Sequence, residues 1–409
     1  MSSVVFEPEV LDDLVGEMLP DAIDLRREIH RHPELGIDNP DTQRRILEAL
    51  AGLGLELTTG TGISSVVADL VGARPGPTIL LRADTDALPM TEESGEPFSS
   101  TVEGRAHACG HDAHVAMLVG AARILSEHRD ELAGRVRFIF QPGEEGDGGA
   151  RIMIDEGVTD GVDAAFALHI SPNIPVGYVA CRPGPIMAST DDFLVRVKGK
   201  GGHASTPHFG NDPIPVACEM VTALQTMVTR RIDAFNPAVV TVAKISAGST
   251  FNVIPESAEL LGTIRTVSDW TRMSVTAGFE RVVRNIAAAH ECEVELTMTP
   301  GYSVVRNDVS FVEFARRTAE QVLGDDKYFE LPSPIMGAED FGYILERVPG
   351  AMAFLGVCPA DIDNSLMAPS CHSNLMRINE DAMAHGIAMH VGVATRYLAL
   401  HADDAPTMS

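Results

Sequence analysis

Residues 77–84 read Pro-Thr-Ile-Leu-Leu-Arg-Ala-Asp, and the break halfway along this stretch decides how the chain is built. A strand with one wet face alternates polar and apolar side chains, whereas Thr78–Leu81 does not alternate. It therefore expects cover on both faces, as in a parallel sheet flanked by helices. The run then ends in Arg82, Asp84 and Asp86. In open α/β sheets the site lies beyond the carboxyl ends of the strands, where Asp84 stands. Asp86 is explained nearly as well by the turn before Pro89.

The same pattern recurs downstream. Arg135–Gln141 (RVRFIFQ) is followed by PGEEGDGG, with Glu144 and Glu145 adjacent in a glycine-rich turn. Residues 162–168 (VDAAFAL) are followed at once by His169. Between these strands lies RAHACGHDAHVAML (105–118), in which Cys109 and His111 flank Gly110 and can turn toward one cation. A helix over 112–128 follows, with Val115, Leu118, Val119, Ala122 and Leu125 on one face. His114 stands one turn along it and suits either the same site or a hydrogen bond within the sheet packing. Three strands that each end in a ligand-type residue, together with the Cys109/His111 pair, form a convergence that random loops seldom produce.

Upstream, apolar spacing predicts a helix over about 10–31 that Pro20 must kink or split, and a second helix over 41–50. His30 and His32 read as cations favourable at a helix C-terminus. The proline-rich stretch 172–185 marks a boundary, after which the rhythm changes to βαββαβ, the ferredoxin-like order. The organisation expected is α/β: a mostly parallel sheet covered by helices over 1–186 and 301–409, with an inserted ferredoxin-like lid or dimerisation domain over 187–300. In the returning part, residues 351–357 form a buried strand and 379–400 a final helix. Between them, PSCHSNLMRINED offers His372 as a fifth ligand, with Cys371 as its rival. Glu339 and Asp340 suit helix capping as well as a site.

With 31 basic and 58 acidic residues, the formal charge is −27. That argues against nucleic acid or an anionic membrane as partner. No apolar run is long enough to span a bilayer, and the acidic N-terminus does not suit a signal peptide, so a cytoplasmic location is expected. The six cysteines (109, 181, 218, 292, 358 and 371) follow no framework spacing and are expected as thiols. Cys218 and Cys358 read as core fillers.

The motifs LRADTDALPM, HACGHDAH, QPGEEG, ALH, GKGGHASTPH, STFNVIPE, GTIRT, GAEDF and CHSN, in this order, resemble the aminoacylase, hippurate hydrolase and indole-acetyl-amino-acid hydrolase branch of the dinuclear metallopeptidase superfamily. The resemblance implies two divalent ions per subunit held by Cys109, His111, Glu145, His169 and His372. It also implies Glu144 as general base and Asp84 orienting a ligand from behind. His203 matches the residue that stabilises the oxyanion, often from the neighbouring subunit of a homodimer. Asn252 and Arg265 match residues that hold the substrate carboxylate. Independently, a turn role suits Asn252 and a surface salt bridge suits Arg265. The wider superfamily has His-x-Asp where this chain has Arg82-Ala83-Asp84, which suits the Cys-x-His branch and counts against the aminopeptidase and desuccinylase readings.

Thiolate, imidazole and carboxylate donors together fit zinc, manganese, cobalt or nickel better than magnesium or calcium. The function expected is hydrolysis of an N-acyl amino acid, such as a hippurate-like conjugate, to a carboxylic acid and a free amino acid. A dipeptidase or N-carbamoyl amino acid hydrolase using the same site, a hydrolase with Cys109 as nucleophile, and a non-catalytic metal or amino-acid binding protein are the alternatives.

Overall fold

The computed structural model describes residues 4–402. Among the described residues two compact units emerge: 4–184 with 306–333 and 340–402, and 185–305 with 334–339.

The first unit is built on an eight-stranded sheet. Its spatial order is Glu56–Thr59, Val66–Val71, Ala133–Gln141, Arg74–Asp84, Ala164–Ser171, Gly350–Gly356, Val179–Cys181 and Tyr328–Glu330. The four central strands, from Ala133–Gln141 to Gly350–Gly356, are mutually parallel. Antiparallel neighbours occur only toward the edges. Alternation is absent from the centre: Ile79, Leu80 and Leu81 are all buried, as is every residue of Gly350–Gly356. The reason is helical cover, with His111–Glu127 and Met383–Leu400 packed on the central strands.

The first helix runs unbroken from Pro8 to His30, so Pro20 does not split it. Leu11, Val15, Ala22, Arg26 and Ile29 are buried along this helix, and that packing outweighs the one hydrogen bond that proline removes. The final helix begins at Met383 after a short 3-10 turn over Glu380–Ala382. No helix among the described residues is long and apolar enough to cross a membrane.

The second unit has four antiparallel strands in the order Ala238–Ala247, Ser257–Thr266, Ser189–Lys198 and Glu293–Pro300. The helices Pro213–Arg231 and Asp269–Ala289 pack on this sheet. Buried residues recur at every second position of Ser189–Lys198, as a strand with one covered face requires. Phe193 and Phe279 meet at the centre of the core with ring centroids 4.5 Å apart, surrounded by Val195, Leu224, Leu260 and Val283. Cys218 is not a core filler. Val216, Ala217, Met220 and Leu224 define the buried face of its helix, and Cys218 falls on the opposite side, exposed. Cys358, in the first unit, is buried.

Candidate metal centre

The carboxyl ends of three parallel strands deliver the first residues of the site. Asp84 closes Arg74–Asp84 and is fully buried. It receives Arg82 Nη1 at 2.5 Å and His114 Nδ1 at 2.5 Å. His114 Nε2 accepts from the Ile170 amide at 2.9 Å, so its proton sits on Nδ1 and is donated to Asp84. His114 is thereby committed to the sheet packing. Two residues on, Asp86 accepts the Glu144 amide at 2.9 Å and the Glu145 amide at 3.0 Å. It thus fixes the turn that carries both glutamates, a role that local sequence disguises as a plain turn residue.

Cys109 and His111 are set by the backbone between them. Gly110 has φ +86°, and a Cβ there would lie 2.5 Å from Ile170 Cγ1, so both conformation and space demand glycine. His111 then opens the His111–Glu127 helix. Its Nε2 lies 3.6 Å from Asp84 and 3.9 Å from Glu145, and its Nδ1 lies 3.7 Å from Asp86. Neither nitrogen is hydrogen-bonded, although both are buried.

His169, at the end of Ala164–Ser171, donates from Nδ1 to the Ile170 carbonyl at 2.6 Å. This leaves the Nε2 lone pair facing Cys109 Sγ, 3.4 Å away. His372 arrives from the far end of the chain with a left-handed backbone, φ +69°, and its amide donates to the Ala108 carbonyl at 2.6 Å. Its Nε2 is 3.2 Å from Glu145 Oε1. Between the two neighbours in Cys371-His372, only the histidine belongs to a donor group. Cys371 Sγ points at the Cys109 and Ile170 carbonyls, 3.9 Å from each.

The donor atoms fall into overlapping groups: Cys109, His111 and His169; Cys109, Glu145 and His372; and His111, Glu144 and Glu145, each with atoms within 4.8 Å of one another. Burial alone would push His111 down, but the Asp84, Asp86 and Glu145 carboxylates hold it up at about 10. Burial pushes His169 down to about 3. The carboxylates that favour a proton on His111 would equally favour a divalent cation in its place, and both His111 nitrogens are buried without a hydrogen-bond partner. The thiolate, imidazole and carboxylate set therefore fits a divalent transition metal. The Cys371 thiol beside it, together with burial, raises the Cys109 thiol well above its ordinary value.

Asp340 is not a helix cap. It accepts from Arg82 at 3.1 Å, from Gln141 at 2.8 and 2.9 Å, and from the Ala150 amide at 2.9 Å, and so braces the strand ends from behind. His30 is likewise no helix-end cation in water; it is buried against Asp112 and Glu92.

Three candidates belong to the second unit. His203 is exposed, and its strand, Gly202–His203, pairs with Val253–Ile254. The Ala204 amide donates to the Asn252 carbonyl at 3.1 Å, so His203 and Asn252 are neighbours in space. His203 Nδ1 meets the Ser205 hydroxyl at 2.8 Å. Arg265 makes no ion pair among the described residues, and its Nε donates to Thr263 Oγ1 at 3.2 Å.

A mostly parallel sheet whose strand ends gather such donors defines an α/β protein with a candidate metal centre. The chain belongs to Peptidase family M20/M25/M40, whose family model matches residues 80–396. It is 38% identical over 396 residues to an IAA-amino acid hydrolase (ILR1-like 2) of Arabidopsis thaliana, covering 96% of this chain and 86% of that one. It is 40% identical over 335 residues to the N-acetylcysteine deacetylase of Bacillus subtilis, covering 82% and 87%. Against thermostable carboxypeptidase 2 of Saccharolobus solfataricus, identity is 38% over 394 residues, covering 95% and 98%. Among solved structures, a dinuclear metal binding peptidase of the M20 family from Bacillus subtilis superposes with a TM-score of 0.81 at 33% identity, covering 94% of this chain and 99% of that one.

Proposed function

We propose that the protein is a metal-dependent amidohydrolase that cleaves N-acyl amino acids into a carboxylic acid and a free amino acid. The observation that carries this reading is the Glu144-Glu145 turn. Glu145 lies against His372 and His111, both donors, while Glu144 stands beside them, 6% exposed. Adjacent carboxylates allow a division of labour, in which Glu145 binds metal and Glu144 takes the proton from water and passes it to the leaving amine. Cys109, His111, His169 and His372 complete the sites for two divalent ions of zinc, manganese, cobalt or nickel. Bound there, such ions supply the Lewis acidity that makes amide hydrolysis feasible near neutrality without a covalent nucleophile. Asp84 holds the donors from behind. His203 stabilises the oxyanion, Asn252 and Arg265 bind the substrate carboxylate, and the βαββαβ unit serves as lid and dimer contact.

The relatives named as an IAA-amino acid hydrolase and an N-acetylcysteine deacetylase support an amino acid conjugate as substrate. The test is metal analysis of purified protein together with a release assay over N-acetyl amino acids, hippurate, dipeptides and N-carbamoyl amino acids. Release from the N-acyl compounds, abolished by chelation and restored by a divalent ion, is expected. Release from dipeptides or carbamoyl compounds alone would replace the substrate class, and turnover that survives metal removal would sink the reading.

A further inference from the structure

Behind the candidate donors lies a second buried group of charged side chains that hydrolysis does not use. His30 engages both ring nitrogens: Nδ1 meets Asp112 Oδ2 at 2.8 Å and Nε2 meets Glu92 Oε1 at 3.1 Å. Arg26 Nε donates to the same Asp112 oxygen at 2.9 Å. All four side chains are more than nine-tenths buried. Apolar residues of similar volume would stabilise such a core at least as well, so stability alone does not explain these charges.

Their position in the chain does. Asp112 directly follows His111, so its anchoring to helix Pro8–His30 fixes the first turn on which His111 stands. On the other side, Glu92 accepts the Ser100 amide at 2.7 Å and orders the 91–104 loop. Its neighbour Glu93 clasps Asn374 in both directions: the Glu93 amide donates to the Asn374 carbonyl at 2.7 Å, and Asn374 Nδ2 donates to Glu93 Oε2 at 2.6 Å. Asn374 lies two residues beyond His372, the donor with the left-handed backbone and a side chain 57% exposed. A continuous path, Asp112 to His30 to Glu92-Glu93 to Asn374, thus joins the back of the Cys109/His111 segment to the back of the His372 segment.

We propose that His30 is a positioning residue for metal binding, a link that, beside the direct His372–Ala108 hydrogen bond, holds these two donor segments at their working separation. The proposal rests on the reading of the cluster as a metal centre. Groups hydrogen-bonded to a metal ligand typically set metal affinity by a factor of about 10–100; His30 acts on the segments that carry the ligands, through Asp112 and Glu92-Glu93, rather than on a ligand itself.

The experiment is titration of the metal-free full-length protein with Mn²⁺, alongside thermal unfolding of the same metal-free samples. In His30→Gln, whose amide still reaches toward Glu92 but leaves Asp112, Mn²⁺ affinity is expected to fall about 10–100-fold while unfolding remains cooperative. Turnover should return at saturating Mn²⁺, because every donor is still present. A folded His30→Gln that binds Mn²⁺ as tightly as the parent overturns the proposal and leaves the metal centre standing. A parent that takes up no Mn²⁺, Zn²⁺ or Co²⁺ overturns both. Should His30→Gln fail to fold, Asn374→Ala, which removes the Glu93 side-chain clasp, carries the test: a tenfold or greater loss of affinity supports the link, and an unchanged affinity overturns it.

Discussion

The two units treat polarity in opposite ways. In the first, charge is buried and the carboxylates around the donors are pinned: Asp84 by Arg82 and His114, Asp86 by two amides, Asp340 by Arg82, Gln141 and Ala150. In the second, the core is apolar and the candidate residues stand at the surface or half-buried, with His203 held by Ser205 and its own ribbon. Rigid donors suit a cation, whose site must exist before it arrives. Lightly held side chains suit a substrate that recruits them on binding. Under the proposed function, the difference separates the residues that build the centre from those that meet the ligand.

Substitutions should break along the same line. The largest effect is expected from Glu144→Gln, which should lower kcat by about 10²–10⁴ while metal content stays at the parent value; a parallel loss of metal would erase the division of labour between Glu144 and Glu145. Phe279→Ala should cost the second unit about 3–5 kcal/mol, visible as an early unfolding step in calorimetry, with metal binding untouched. If metal affinity moved as well, the two units would not be independent in the way their cores suggest. Arg265→Ala should lower kcat/KM by roughly 10–100-fold for a substrate with a free carboxylate, again with unchanged metal content, and an equal loss for a carboxamide analogue would remove its assigned partner.

The smallest effect is a pH slope. Burial pushes His390, on the final helix, down to about 3, below its ordinary 6.5. The unfolded chain therefore binds the extra proton between these values, and stability should fall as pH drops below 6.5, by at most about 1.4 kcal/mol per pH unit for this group. Denaturant midpoints at pH 7, 6 and 5 should show a slope of this sign, to which buried His169 also contributes, and His390→Leu should reduce it by this group's share. His30 has the opposite sign. Although burial opposes it, Asp112 and Glu92 hold it up at about 9, so its contribution is complete below 6.5 and is lost as pH rises through 9.

Much of this is legible in the sequence where the signal is local. Thr78–Leu81, 162–168 and 351–357 declare a doubly covered sheet because each lacks alternation, and Cys109-Gly110-His111 declares a candidate donor pair because its spacing is short. Residues whose meaning depends on a distant partner mislead. His30 reads as a helix-end cation because Asp112 lies far along the chain. Asp86 reads almost equally as a site residue and a turn residue because the amides it holds belong to Glu144 and Glu145. Cys218 reads as buried because its neighbours Val216 and Ala217 are apolar, although helical periodicity rotates it to the other side. Pro20 reads as a kink or a split, and packing against later elements keeps that helix continuous.

The strand Gly350–Gly356 is inserted between Ala164–Ser171 and Val179–Cys181, so the middle of the large sheet is completed by a segment from near the chain's end. During synthesis the flank of Ala164–Ser171 must wait, with its hydrogen-bonding edge open, until residues 350–356 have emerged from the ribosome. Such an open flank is the kind of surface that chaperones cover and that aggregates exploit. Shortened forms that stop before residue 350 should accordingly be recovered as insoluble protein, however well their remaining strands are composed.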